Sequence, residues 1–248
     1  SKYFLIQKIL TLVLGFSFYY FFGVEGIIFA LALSYIAYII RVIKALKDSK
    51  IDFSLLKERY GFIGNNYSMI LVQGSKSQID KLIVAPLLGF SLLGNYALAA
   101  QVVGIMLMFT TIVFKYTLSH DASGNPNYKL KKITLLISII IALVGFFLSP
   151  IIIPEFFPKY SETVDAIQIM GLGIIPATIS MIFTSKFLGL EKSKIILITK
   201  LISLVIIILG TLILGPILGI IGLSIAFVLS NSIEAIIFLL INIKVKQR

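Results

Sequence analysis

The sequence contains no cysteine and no tryptophan, and it has one histidine in 248 residues. Without cysteine it can form no disulfide, thiol nucleophile or cysteine-ligated metal site. Without tryptophan, any aromatic belt at a membrane surface must consist of tyrosine and phenylalanine. Charged residues make up only 13%, whereas 58% are hydrophobic, well above the roughly 45–50% apolar usage of soluble domains. These proportions predict an integral membrane protein.

Apolar runs of membrane-spanning length repeat along the chain. Each is near the roughly 20 residues with which a helix crosses about 30 Å of hydrocarbon. The runs cover residues 3–22, 24–43, 61–88, 95–116, 133–153, 164–187, 195–214 and 219–243. Barrel strands are excluded because the runs are far longer than roughly 10 residues and do not alternate in polarity. We therefore predict an all-α polytopic membrane protein with eight transmembrane helices.

Of the 22 lysines and arginines, 15 lie in or beside alternate loops, which argues against a nucleic-acid partner as the reason for the net charge of +11. They are Arg41, Lys44, Lys47, Lys50, Lys57, Arg59, Lys129, Lys131, Lys132, Lys186, Lys192, Lys194, Lys244, Lys246 and Arg248. The intervening loops contain one lysine, Lys159, together with acidic residues. Because basic loops stay inside, we predict a multi-pass protein of the cytoplasmic membrane with both ends of this chain in the cytoplasm.

The longest polar stretch, residues 44–60, separates two apolar runs from six. Its basic residues and scattered apolar residues fit an amphipathic helix on the inner leaflet, where it would contact membrane lipids. An ordinary solvated connector fits the same residues, and both interpretations remain open.

The third apolar run carries polar residues at helical spacing. Asn66, Gln73 and Asp80 recur every seven residues, and with Lys76 they fall within an arc of roughly 100°. A lysine or aspartate at a bilayer centre costs about 2.5–3.5 kcal/mol, so this face is predicted to line a hydrated cavity, with Lys76 and Asp80 able to pair. In the alternative interpretation, Asp80 and Lys81 mark the outer end of a short span and Lys76 snorkels.

Three other polar residues fall inside apolar runs. Gln101 is expected about 9 Å below the outer surface, near Asp80. Asn231 and Glu234 are expected about 18 and 22 Å from the outer end of their helix, level with Asn66. These residues are candidates for an inner polar layer, although Glu234 also fits an interfacial acid near the cytoplasm. Snorkelling to the cytoplasmic surface is expected for Lys8, Lys115 and Lys200.

The sixth run is rich in small residues and contains Pro176. The small residues permit close helix packing, and the proline removes a backbone hydrogen bond and predicts a kink. Pro176 is thus a hinge candidate, although kinked helices are equally common in membrane bundles that do not move.

Residues 77–105, SQIDKLIVAPLLGFSLLGNYALAAQVVGI, resemble part of a known family. They are similar to the first helix pair of the C-terminal lobe in polysaccharide flippases of the multidrug/oligosaccharidyl-lipid/polysaccharide (MOP) exporter superfamily. The pattern is an Asp-Lys pair, a glycine-containing turn, a Gly-x-Tyr and an alanine-rich helix. The matching residues are Asp80, Lys81, Gly89, Gly94, Tyr96 and the segment Ala97–Ala100. Residues 157–171, FPKYSETVDAIQIMG, resemble the start of the family's tenth helix.

The resemblance implies two six-helix bundles. Residues 1–43 would be the last two helices of an N-terminal lobe, 44–60 the cytoplasmic connector and 61–248 the C-terminal six-helix lobe. Because the family has about twelve or more spans, we expect this chain to be a fragment that lacks about four N-terminal helices, its nearest partners in the same protein.

The resemblance also implies a function, which is to flip a lipid-linked oligosaccharide, carried on a polyprenyl (di)phosphate, across the membrane by alternating access during surface polysaccharide assembly. Lys76 or Lys81 would attract the phosphate. Candidates for bonding sugar hydroxyls are Asn66, Gln73 and Gln101. Candidates for holding a coupling Na⁺ or H⁺ are Asp80, or Asn231 with Glu234; no other cofactor and no bound metal are expected.

Of three alternatives, the first is also a transporter and the other two belong to different functional classes. A cation-coupled multidrug antiporter of the same superfamily would favour an acid-rich cavity. A non-transporting membrane scaffold fragment would bind partners without moving a substrate. A membrane enzyme is not expected, because general acid–base chemistry needs positioned partners and His120 has only Asp121 beside it in a predicted loop.

Overall fold

The structure is a computed structural model that describes residues 2–36, 38–39, 42–43 and 59–246. Its helices are α1 Lys2–Ser34, α2 Tyr60–Lys76, α3 Ile79–Leu88, α4 Phe90–Ala122, α5 Tyr128–Phe156, α6 Thr163–Leu172, α7 Ile174–Gly189 and α8 Ser193–Lys246. A 3₁₀ turn, Pro158–Tyr160, joins α5 to α6. Within the described ranges there is no strand, which confirms the all-α prediction. Most of the predicted connector, residues 44–58, lies outside the described residues.

The described helices confirm a multi-pass membrane protein. Four of them are long and apolar enough to cross a membrane, or five if α6 and α7, which meet at 41°, form one bent span. Two of the four, α1 and α8, are each interrupted at a glycine. The predicted run 61–88 is instead divided into α2, with 17 residues, and α3, with 10. The predicted count of eight spans therefore remains a prediction.

The chain divides into two compact units, residues 1–58 and 59–248. In the first unit, α1 is a helical hairpin that turns at Gly23, whose φ of 62° and ψ of −146° lie outside the helical region. Gln7 Nε2 donates a hydrogen bond of 3.4 Å to Ser34 Oγ on the opposite arm. The arms come so close that a Cβ on Gly26 would lie 2.1 Å from the carbonyl oxygen of Phe18.

The last helix, α8, repeats this construction. It turns at Gly219, with φ 59° and ψ −134°. A Cβ on Gly222 would lie 2.0 Å from the Leu214 carbonyl oxygen. In both hairpins the second glycine follows the turning glycine by three residues, and the carbonyl that it approaches precedes the turn by five. The hairpins therefore form a local structural repeat, a signal that the sequence analysis missed.

The second unit buries two apolar clusters. One joins α3, α4, α6 and the second arm of α8 through Val84, Tyr96, Ile167 and Leu223. The other joins α7 to α8 through Phe187, Ile196 and Phe238. Large apolar side chains are also exposed along the helices, as lipid contact requires in a membrane protein.

The bend between α6 and α7 lies at Gly173, three residues before Pro176. Proline disrupts the turn that precedes it, so the position of the bend agrees with the predicted kink. Gly173 permits close packing here, because a Cβ on it would lie 3.0 Å from the ring of Phe227 in α8. A hinge movement at Pro176 remains a prediction.

Candidate functional site

A break in the helix separates the two polar parts of the third predicted span. The Ser77 hydroxyl donates to the Gly74 carbonyl oxygen at 2.8 Å, and the Gln78 N–H bonds Ser75 at 3.1 Å. A serine hydroxyl that bonds a helix carbonyl, together with a tightened i→i−3 bond, is typical of a helix end. The expectation of one continuous polar arc from Asn66 to Asp80 is therefore wrong.

Lys76, the last residue of α2, lies in a buried group of polar side chains. Its Nζ donates to Glu234 Oε2 at 2.9 Å, to Asn231 Oδ1 at 3.2 Å and to Ser203 Oγ at 2.5 Å. All three acceptors are on α8, so the ammonium joins α2 to both arms of that hairpin. Lys76 therefore does not snorkel in this structure, and Asn231 and Glu234 lie together as predicted, but beside Lys76 rather than Asn66.

A second lysine completes this group, and sequence reasoning missed it. Lys200 is 8% exposed, and its Nζ donates to Gln73 Oε1 at 2.6 Å and to Glu234 Oε1 at 3.3 Å. The prediction that Lys200 snorkels is therefore wrong. Glu234 is a buried acid whose charge is compensated by two ammonium partners, and its interfacial position stays an open alternative. We call Gln73, Lys76, Lys200, Asn231 and Glu234 the lysine–glutamate cluster.

Asp80 lies at the start of α3, separate from that cluster. It is 5% exposed, and its Oδ2 accepts a 2.6 Å hydrogen bond from Tyr96 Oη, while Oδ1 accepts from the Lys81 N–H at 2.8 Å. Among the described residues, no lysine or arginine nitrogen lies within 4.0 Å of its carboxylate. The predicted Lys76–Asp80 pair is thus wrong for this structure, because Lys76 bonds Glu234 instead.

One cavity joins the lysine–glutamate cluster to Asp80. It has a volume of about 310 Å³ and lies between α2, α3, α4, α7 and α8. Its polar wall includes Gln73, Lys76, Asp80, Lys81, Ser180, Lys200, Asn231 and Glu234. Ser180 Oγ is buried there and has no hydrogen-bond partner in the part of the chain that the structure describes. All of its lining residues belong to the second unit, and the expectation that they face a cavity between two lobes stays a prediction.

Two predicted cavity residues are not in its wall. Asn66 is half-buried, and its Nδ2 donates to the Phe62 carbonyl oxygen of its own helix at 3.0 Å. Gln101 is exposed. It follows the cavity-lining Tyr96 by five residues, which places it about 140° around the helix from that side chain. The structure therefore brings six of the eight predicted cavity and ion residues to one cavity.

A separate buried ion pair holds the opposite end of α4. Lys131 Nζ lies 2.6 and 2.7 Å from the two carboxylate oxygens of Asp121, and Ser185 Oγ donates to the same carboxylate. His120 instead packs against the Tyr116 ring, with centroids 4.5 Å apart. Asp121 therefore joins α4, α5 and α7, and among the described hydrogen bonds none links it to His120, the one candidate base that the sequence offered.

No family model and no curated protein match this sequence. Two solved structures do. The crystal structure of MATE in the bent conformation matches with a TM-score of 0.77 and 17% identity, over 99% of this chain and 61% of that one. The crystal structure of MATE in complex with MaD5 matches with a TM-score of 0.65 and 18% identity, over 98% and 60%. This chain spans about three-fifths of the length of these structures, and at such identity the likeness shows a shared fold.

Proposed function

We propose that this chain is part of a transporter that flips a polyprenyl-(di)phosphate-linked oligosaccharide across the cytoplasmic membrane by alternating access. The observation that supports the proposal most directly is the cavity, in which the buried Lys200, the half-buried Lys76, two amides and a hydroxyl face one space inside a MATE-type fold. Charged side chains inside a membrane protein are expensive, and they mark substrate or ion pathways.

The chemistry of the cavity fits an anionic, hydroxyl-rich ligand. Glu234 is shared by Lys76 and Lys200, so the lysine–glutamate cluster has a net positive charge. That excess charge would attract a phosphate, and the amides of Gln73 and Asn231 offer partners to sugar hydroxyls. The volume of about 310 Å³ is at the small end of ligand pockets, which suits a phosphate or one sugar rather than a whole glycan.

Asp80 is the proposed site of the coupling ion, H⁺ or Na⁺. Its donors, the Tyr96 hydroxyl and a backbone N–H, are neutral, whereas Glu234 already has two ammonium partners. A buried carboxylate that has no ammonium partner is a more favourable site for a monovalent cation than one that already has two. This assignment favours Asp80 over Asn231 with Glu234.

We predict that Lys76→Gln slows flipping of a fluorescent polyprenyl-diphosphate oligosaccharide in proteoliposomes by about tenfold or more, since about 1.4 kcal/mol of lost attraction corresponds to a factor of ten. The matched control is Lys192→Gln, which removes a lysine outside the cavity wall. Wild-type protein that does not flip the lipid, or a Lys76→Gln variant as fast as the control, would contradict the proposal.

The MATE-type fold also favours a second candidate, a cation-coupled drug antiporter. The same vesicles distinguish the two functions when they are loaded with ethidium. Ethidium efflux without lipid flipping would support the antiporter. A stable complex that moves neither substrate would support a scaffold.

A further inference from the structure

The two buried acids on the cavity wall, Asp80 and Glu234, are unevenly paired with lysines among the described residues. Glu234 receives both ammonium groups, from Lys76 at 2.9 Å and from Lys200 at 3.3 Å. Asp80, on the same cavity, receives only the Tyr96 hydroxyl and a backbone N–H. Two ammonium groups and two carboxylates would be compensated evenly if each acid had one lysine. The observed arrangement therefore leaves the Asp80 carboxylate without an ammonium partner among the described residues.

Lys76 is placed to reach either acid. It ends α2, and Asp80 is four residues further along, at the start of α3. Both side chains line the same cavity, although the Lys76 ammonium bonds Glu234 and not Asp80 here. The break at Ser77 and Gln78 gives this segment a shortened hydrogen bond in place of regular helix.

Two of the three residues that Lys76 would leave, Glu234 and Ser203, keep another hydrogen bond without it. Glu234 Oε1 keeps Lys200 at 3.3 Å. The Ser203 hydroxyl keeps its 2.8 Å bond to Ser230 Oγ. The Asn231 side-chain oxygen and Glu234 Oε2 lose their described hydrogen bonds, and both residues line the cavity. Departure of Lys76 would therefore leave no unpaired carboxylate.

We propose that Lys76 is an internal cation that exchanges between Glu234 and Asp80, and that this exchange determines whether Asp80 can hold an external monovalent cation. The proposal rests on the coupling site at Asp80. With Lys76 on Glu234, as observed, Asp80 is available for H⁺ or Na⁺. With Lys76 on Asp80, the bound cation leaves to the cavity. Occupancy of Asp80 then controls the contact between α2 and α8, because that contact includes the Lys76–Glu234 bond.

Lys81 is the other cation on the cavity wall, and it is not equivalent. Its Nζ bonds the Ser77 carbonyl oxygen at 3.3 Å in an exposed position. It has no described bond to Glu234, so it has no second acid with which to exchange. Lys81 therefore offers a matched control, because it has the same charge as Lys76 and is next to Asp80 in the sequence.

The test is a double-mutant cycle on cation binding by the purified full chain, with ²²Na⁺ as one probe and proton release on titration as the other. Lys76→Met is expected to tighten binding by about tenfold, because the competitor is gone. Glu234→Gln is expected to weaken it several-fold, because Lys76 then stays on Asp80. In the double variant, binding should match Lys76→Met alone, since Glu234 acts only by holding Lys76.

In the control cycle, Lys81→Met should leave the effect of Glu234→Gln unchanged. Lys76→Arg keeps the charge and should behave like wild type, which separates the exchange from a failure to fold. Additive effects of Lys76→Met and Glu234→Gln would overturn the exchange while leaving the coupling site intact. If Asp80→Asn removes no Na⁺ or proton signal from any variant, both the exchange and the coupling site at Asp80 are wrong.

Discussion

At the scale of single residues, each charge on the cavity wall is best understood from the groups that compensate it. Lys200 is buried and Lys76 is half-buried, and both are compensated by Glu234. Asp80 is compensated instead by neutral donors, chiefly Tyr96. A buried carboxylate whose donor is deleted is left with an unsatisfied charge, which is far more costly than a lost surface bond. The Tyr96 hydroxyl is therefore the contact through which this carboxylate is most easily perturbed.

We predict that Tyr96→Phe lowers the free energy of unfolding by about 1–3 kcal/mol, the usual result of leaving a buried polar group without its partner. Tyr96 is 1% exposed, so the ring itself is retained in its packing. Unfolding in detergent, followed by circular dichroism, measures the change. In an Asp80→Asn background the loss should shrink, because a neutral side chain needs the hydroxyl less; an equal loss in both backgrounds would contradict this explanation.

At the scale of secondary structure, glycines and one serine determine where helices break. Gly23 and Gly219 turn the two hairpins with positive φ, a region that side chains with a Cβ enter only with strain. Gly23 lay between two predicted runs and Gly219 was the first residue of the last run, so the sequence located both turns to within one residue. The break after Lys76 was not predicted, because an apolar run with helical spacing continues on either side of it. The break coincides with the hydrogen bond from the Ser77 hydroxyl to the Gly74 carbonyl oxygen. That bond is local, but a serine hydroxyl can bond several neighbouring backbone groups, so the sequence does not say which one it chooses.

We predict that Gly222→Ala destabilises the α8 hairpin, because the new Cβ would lie 2.0 Å from the Leu214 carbonyl oxygen. The arms would have to separate, which also disturbs the bond between Ser203 and Ser230. A loss of several kcal/mol in unfolding free energy, or failure to purify as a folded monodisperse protein, is expected from overpacking of this kind.

Gly64→Ala is the control for this prediction, because a Cβ at Gly64 meets no atom within 4 Å. It should be neutral or slightly stabilising, since alanine is the better helix former by about 1 kcal/mol. Equal behaviour of the two variants would show that the close approach in α8 is not required.

At the scale of the whole molecule, alternate basic loops predicted the orientation, and the described helices agree with a multi-pass protein. The two similar hairpins are consistent with the predicted origin of residues 1–43 as the last helix pair of another lobe. The boundary between the compact units, after Glu58, falls near the predicted end of the connector. The assignment of these units to an N-terminal and a C-terminal lobe remains a prediction.

The orientation can be tested directly because the chain contains no cysteine. Asn125, between α4 and α5, and Ser161, before α6, are both exposed. We predict that a membrane-impermeant maleimide labels Ser161→Cys in intact cells, whereas Asn125→Cys is labelled only after permeabilisation. Labelling of Asn125→Cys in intact cells would reverse the predicted orientation.

The sequence by itself determined that this is a helical membrane protein, because apolar content and run length depend on composition and order alone. It also identified six of the residues around the cavity, since a polar side chain inside an apolar run must face something polar. Only the tertiary structure decided their partners. Helical spacing tells which residues share a face, but not which helix that face meets. Lys200 therefore looked like a snorkelling residue until α8 placed it between Gln73 and Glu234.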